Sequence, residues 1–213
     1  MLNSDYSRQR ILDAAYDLFG RIGYAATTVR MIAQQADVSL SAIPYHFESK
    51  GNLYQNVISI ASEEFADYFS GLTREITDFL SRPTLDAATA RTLLFRLNDK
   101  HIDYVFDPKN ERQMRLFFQI RTFAKSAEDL GDLLNLTTTH LFRSLICIIK
   151  PELDDQTATI LTYSIIGEQL FFFYHRPSVL LQLDLKEFDS LSIEQIRRIL
   201  DHKLDVIITT DDF

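Results

Sequence analysis

The chain has one cysteine, no excess of basic residues, no long apolar run and none of the short motifs that carry enzyme chemistry. A lone Cys147 excludes an intramolecular disulfide framework. It sits in the apolar run Leu145-Ile146-Cys147-Ile148-Ile149, so a buried, inert thiol is expected, with a redox-sensing thiol as the alternative. No apolar stretch approaches the roughly 18 residues a membrane span requires. The opening MLNSDYSRQR lacks the apolar region of a signal peptide, so a soluble, cytoplasmic protein is expected. There is no Gly-rich phosphate loop, no His-x-x-x-His, no Cys-x-x-Cys and no nucleophile elbow. The five histidines (46, 101, 140, 175 and 202) lie far apart, none at metal-ligand spacing from another. The expectation is therefore a protein that is not an enzyme and has neither metal nor cofactor.

Net charge is −8, which at first sight argues against a nucleic-acid partner, but its distribution matters more than its sum. Residues 1–50 balance Arg8, Arg10, Arg21, Arg30 and Lys50 against Asp5, Asp13, Asp17, Asp37 and Glu48. The 17 basic and 25 acidic residues of 51–213 therefore carry the whole imbalance. Any affinity for DNA would have to come from a few well-placed phosphate contacts and from dimerisation, and it would fall with salt. With 213 residues and 46% hydrophobic content, the chain is long enough for one or two domains with a proper core.

What is present begins at residue 27, in TTVRMIAQQADVSLSAIPYHFESK. Val29, Ile32, Ala33 and Ala36 fall on one face of a short helix, and Thr28 stands where an N-cap would. Asp37 and Val38 break the periodicity in a tight turn. Ser39 can then cap a second helix whose buried side is Leu40, Ile43 and Phe47. Ser41, Ala42, Tyr45 and His46 are left on its outer side, small or polar groups suited to a major groove. This is the layout of a helix-turn-helix; the plainer reading is an αα-hairpin inside a helical bundle. For contact with double-stranded DNA the candidates are Thr28, Ser39, Ser41, Ala42, Tyr45, His46 and Lys50. Thr28 and Lys50 lie at or near helix N-termini, where backbone N–H groups favour a phosphate.

The string TTVR-x-IA-x-x-A-x-VS-x-x-A-I-x-YHF-x-SK resembles the N-terminal signature of the TetR family of transcriptional regulators. The preceding RQRILDAAYDLFGRIGYAATTVR is similar to that family's first helix and the loop after it. Two positions depart from the pattern. Asp37 stands where family members usually have Gly, and Asp tolerates a left-handed conformation better than most residues. Pro44 replaces an aromatic or polar residue. Counted from a cap at Ser39 it would break a bond to the Leu40 carbonyl, so the helix either starts nearer Ser41 or is kinked.

Beyond the hairpin every segment reads helical, with no convincing strand or internal repeat. The periodicity predicts helices over about 5–22 (ended by Gly23), 50–80, 85–106, 109–125, 127–150, 155–175 and 192–208. The fold class expected is all-α: an N-terminal three-helix domain (1–50) and a C-terminal helical bundle (51–213) for effector binding and dimerisation. In ILTYSIIGEQLFFFYH apolar residues surround the helix axis, so it is expected to be buried on every side, at a subunit interface or in the monomer core. The interface candidates are Ser164, Gly167 and Phe171 with Ile196, Leu200 and Leu204 of the last helix. The tract IIGEQLFFFYHRPSVLLQL is similar to that of one TetR subgroup, whose members carry a Gly-Gln-aromatic stretch running into Arg-Pro-x-Val-Leu; here Glu168 intervenes between Gly and Gln.

The resemblance implies a homodimer on a near-palindromic operator, most simply a repressor, released by a small lipophilic effector. It also implies an apolar pocket in the helical body. Phe65, Tyr68, Phe69, Phe95, His101, Tyr104, Phe117, Phe118 and Arg121 are its candidates, each of which could equally be core. Arg121 could face an anionic ligand or pair with an acidic neighbour. Two other classes stand beside this one: a helical protein-interaction adaptor with a non-functional hairpin, and a helical enzyme using the aromatic residues.

Overall fold

The computed structural model describes residues 2–123 and 137–210, and among these every regular element is helical. In chain order they are α1 (Leu2–Ala26), α2 (Val29–Ala36), α3 (Ala42–Phe47), α4 (Lys50–Leu80), α5 (Ala87–Phe106), a 3-10 turn (Pro108–Asn110) and α6 (Glu111–Phe123). After the break come α7 (Thr137–Ile149), α8 (Asp155–Tyr174), α9 (Arg176–Leu183) and α10 (Ser190–Thr209). Gly23 interrupts α1 with φ 77° and ψ 167°, so the regular helix ends there as the sequence predicts. Helix α9 is not predicted. Pro177, two residues beyond the predicted 155–175 helix, occupies the first turn of this new helix, where a missing N–H costs nothing.

The described residues form two compact units, 2–68 with 109–123 and 69–108 with 137–210. The first is therefore larger than the 1–50 segment, since it includes the first part of α4 and all of α6. Its core joins Ile11, Ala15, Leu18 and Phe19 of α1 to Ile32, Ala33 and Ala36 of α2 and Ile43 and Phe47 of α3. Leu53, Val57 and Ala61 of α4 complete it with Leu116, Phe117 and Ile120 of α6. Ile22, next to the break at Gly23, is 39% exposed. In this unit Tyr16 donates to Glu64 (3.1 Å) beneath the Arg112 guanidinium, which sits 4.1 Å from the Tyr16 ring. Burial and the Glu64 carboxylate push the phenol well above its ordinary range.

The second unit packs α5 against α7, α8 and α10. Leu94, Leu97 and Ile102 of α5 and Phe142, Leu145 and Ile146 of α7 are buried there, with Leu161, Ile165, Leu200 and Leu204 also enclosed. A polar thread crosses this core: buried Gln169 donates to Asn98, whose amide donates to Asp201 at 2.8 Å. Burial pushes the Asp201 carboxyl above its usual range. Asp86, Asp154 and Asp189 cap α5, α8 and α10, each accepting a backbone N–H. Cys147 is half-buried rather than fully enclosed.

Candidate nucleic-acid interface

The first unit builds the helix pair from local rules. Thr28 is extended and its hydroxyl accepts from Met31 N at 3.2 Å, which starts α2. Ile32, Ala33 and Ala36 are buried and Val29 half-buried, as the periodicity requires. Asp37 then turns left-handed (φ 49°, ψ 54°). Its N–H reaches Gln34 O at 3.2 Å while Val38 N–H reaches Ala33 O at 3.0 Å, the paired bonds of a Schellman stop. Asp37 does more than tolerate the turn. Its carboxylate meets Arg10 of α1 at 2.9 Å, a contact glycine could not make. The pair is exposed on the Asp side, so it contributes at most about 1 kcal/mol and chiefly fixes the corner.

The second helix begins two residues later than a Ser39 cap would place it. Ser41 occupies the cap position with φ −70° and ψ −17° and makes no capping bond; Ser39 Oγ lies 3.0 Å from Ser41 Oγ instead. Leu40 is consequently left in the turn, 51% exposed, so the expectation that it packs inward is overturned. Only Ile43 and Phe47 are buried. The same shift answers the question of Pro44: it is the third helical residue, within the first turn, where no intrahelical N–H is needed. Six residues cannot hold a helix alone, so α3 depends on those two apolar anchors and on Arg8, whose guanidinium sits 5.2 Å over the Phe47 ring.

The outward side of this pair carries Thr28, Ser39, Ser41, Pro44 and Tyr45, all exposed, with Tyr45 at 78%. Ala42 and His46 are half-buried, and the His46 ring lies edge-on to Tyr45 at 4.9 Å. Six of the seven predicted contact residues thus lie in the helix pair, Thr28 capping α2, Ser39 in the turn, and Ser41, Ala42, Tyr45 and His46 at the cap or in α3. Lys50 is engaged elsewhere: its ammonium donates to Tyr24 O and Thr27 O, both at 2.9 Å, and lies 4.1 Å over the Tyr24 ring. Sequence reasoning missed this role, as it missed Arg8 and the Arg10–Asp37 pair. Asp37 at the usual glycine position was the one available signal.

The predicted pocket residues divide between the two units. In the first, Phe65 and Phe117 meet edge-on at 5.8 Å, Tyr68 is half-buried and Phe118 is 38% exposed. In the second, Phe69, His101 and Tyr104 are buried together, with Phe69 5.9 Å from His101 and 5.5 Å from Tyr104. Phe142 joins them 5.9 Å from His101, while Phe95 is half-buried beneath Arg91. The Arg121 side chain lies outside the described residues.

Helix α8 proves apolar all round because it has two apolar faces, and the chain itself covers only one of them. Ala158, Leu161, Thr162, Ile165, Ile166 and Gln169 are buried, while Ile160 (56%), Tyr163 (60%) and Phe171 (49%) are exposed beside Ser164 and Gly167. The three α10 residues expected at an interface, Ile196, Leu200 and Leu204, are instead buried in their own unit. The apolar face that α10 leaves exposed carries Leu191 (67%), Ile199 (57%) and Val206 (45%). Among the described residues no cluster of His, Cys, Asp or Glu could hold a metal, and no helix is long and apolar enough to cross a membrane.

A sequence model of the family described as bacterial regulatory proteins, tetR family, matches residues 11–57, from within α1 through the helix pair into α4. Residues 11–57 thus carry the sequence pattern of the tetR family. One relative extends the likeness over nearly the whole chain. The HTH-type transcriptional dual regulator CecR of Shigella flexneri is 24% identical over 209 residues, covering 97% of this chain and 93% of its own. The HTH-type transcriptional repressor KstR2 of Rhodococcus jostii (strain RHA1) is 37% identical over 82 residues, 38% of each chain. Two solved structures share the fold. A TetR-like transcriptional regulator from Rhodococcus sp. RHA1 superposes with a TM-score of 0.62 at 16% identity, covering 93% of this chain and 96% of its own. A protein from Saccharomonospora viridis, solved in complex with choline, does so with a TM-score of 0.58 at 20% identity, over 93% and 95%. The all-α architecture and a DNA-binding transcription regulator follow from these likenesses together with the helix pair.

Proposed function

We propose that this TetR-family regulator acts as a repressor that binds a near-palindromic operator as a homodimer and is released by a small apolar effector. The observation that carries the reading is the exposed row of Ser39, Ser41 and Tyr45 on a helix pair whose inner side is fully anchored. Small residues at 41 and 42 let the helix sit deep enough for base-edge or thymine-methyl contact. Tyr45 and His46 reach phosphate oxygens from its flank, and Thr28 does so at the start of α2. A near-neutral reading head gains little from bulk attraction, so two linked half-sites supply the affinity.

The exposed apolar faces of α8 and α10 are the surfaces proposed to pair, with Ile160, Tyr163, Phe171, Leu191, Ile199 and Val206 in place of the buried α10 residues. The effector site is placed among the aromatic residues of the helical body. Its occupation would favour a conformer whose two α3 helices no longer match successive major grooves, by no more than its differential affinity for the two states. The adaptor reading loses its main support, because Pro44 leaves α3 unbroken.

Selection of bound duplexes from a genomic DNA pool at about 0.15 M salt tests the proposal. Wild type should enrich a near-palindrome and a Tyr45→Ala/His46→Ala variant should not. A folded, dimeric wild type that enriches nothing, even after denaturing extraction of any carried ligand and refolding, would overturn it.

A further inference from the structure

We infer that Lys50 is a positioning residue for DNA recognition and that its ammonium closes the helix-turn-helix into a ring rather than neutralising a phosphate. The inference rests on the reading of α2 and α3 as the DNA-binding pair. Lys50 is the first residue of α4, three positions after the last residue of α3. Its Nζ donates to Tyr24 O and Thr27 O at 2.9 Å each and stands 4.1 Å over the Tyr24 ring. Tyr24 is in the short stretch of α1 after the Gly23 break and Thr27 directly follows α1, whose last turn carries no basic residue of its own. Lys50 supplies a cation to these carbonyls.

The location of Thr27 gives the contact its reach. Thr27 is fully buried, and both its N–H (3.2 Å) and its hydroxyl (2.7 Å) are held by Gly23 O. The next residue, Thr28, caps α2. The ammonium thus ties the peptide that launches α2 to the first residue of α4, just beyond the end of α3. Between them the chain passes through α2, the Asp37 turn and the six-residue α3, which has only two buried anchors. A tether across the open ends of that loop fixes the approach of α3, and with it where Ser41 and Tyr45 meet a duplex. Two charge-assisted bonds and a ring contact satisfy the ammonium without any phosphate.

The test measures affinity for the selected operator and for a scrambled duplex across a salt series. Wild type, Lys50→Met, Tyr24→Leu and the double variant would be compared, with circular dichroism and stoichiometric titration confirming folded, active protein. A positioning role predicts that Lys50→Met loses about ten-fold in discrimination between the two duplexes. The salt slope should stay within half a unit of wild type. Tyr24→Leu, which removes no charge, should lose discrimination in the same sense, and the double variant should add little to Lys50→Met.

A phosphate contact predicts the reverse. Both duplexes would weaken equally, the slope would fall by about one per protomer, and Tyr24→Leu would be silent or additive; that pattern overturns the inference. Loss of stability alone would lower the active fraction while leaving discrimination unchanged, which overturns it too. If wild type itself fails to discriminate, the DNA-binding reading fails first, and this inference with it.

Discussion

Gly20 and Gly23 both lie where α1 packs on α6, and the structure predicts opposite outcomes when each becomes alanine. At Gly23 the backbone has φ 77° and ψ 167°, a region in which only glycine is at ease, so a side chain costs about 1–3 kcal/mol. The new Cβ would also stand 2.8 Å from Gln119 Oε1, which is too close. That atom ends a flexible side chain and can shift, so the steric addition is small, and Gly23→Ala should destabilise by about 2–3 kcal/mol in total. At Gly20 the added Cβ would find Arg112 O and Leu116 N at 3.4 Å and Arg115 Cβ at 3.5 Å, ordinary contacts. Alanine is favoured over glycine in a helix by up to about 1 kcal/mol, so Gly20→Ala should be neutral or stabilising. Urea denaturation followed by circular dichroism reads the difference, which should reach about 2–4 kcal/mol. Equal stability of the two variants, or greater loss at Gly20, would refute the reasoning. Gly23 O also holds Thr27, so the folded fraction of Gly23→Ala should bind operator less selectively.

Further outcomes are expected. Pro44→Ala should change stability by less than about 1 kcal/mol, because the proline sits in the first turn of α3; a gain above about 2 kcal/mol in urea denaturation would mean that it strains the helix. Tyr163→Glu with Ile199→Glu should convert a dimer to a folded monomer in sedimentation and weaken operator binding by about a hundred-fold; retention of the dimer would move the interface away from α8 and α10. The carboxyls of Asp86, Asp154 and Asp189 are held below their ordinary range by backbone N–H donors from Thr89, Thr157 and Ser192. Their folded values lie below the unfolded ones, so their contribution is complete above the ordinary aspartate range and is lost as pH falls through the depressed values. Alanine at all three should flatten that acid limb of stability, and an unchanged limb would contradict the capping role.

The sequence exposed the helical periods, the Thr28 cap, the stop at Gly23 and the inner face of α2, because each depends on residues a few positions apart. For the start of α3 it offered a Ser39 cap or, because of Pro44, a start nearer Ser41, and the structure takes the second, with Ile43 and Phe47 buried. Pro177 could not be read as a start because proline both ends one helix and opens the next. Helix α8 showed apolar residues on all sides but not that one face is spent inside the protomer. For α10 the period identified Ile196, Leu200 and Leu204 as a face, and only the packing shows that this face points inward. The carbonyl partners of Lys50, 23 and 26 residues away, leave no mark in the local pattern.

Hydroxyl-radical footprinting of the selected duplex would test most directly that α3 reads DNA in a symmetric dimer. The account predicts two protected windows on one face of the duplex, their centres about one helical turn or somewhat more apart. Both should be lost together in Tyr45→Ala/His46→Ala. A single window, or protection that survives that double substitution, would contradict it.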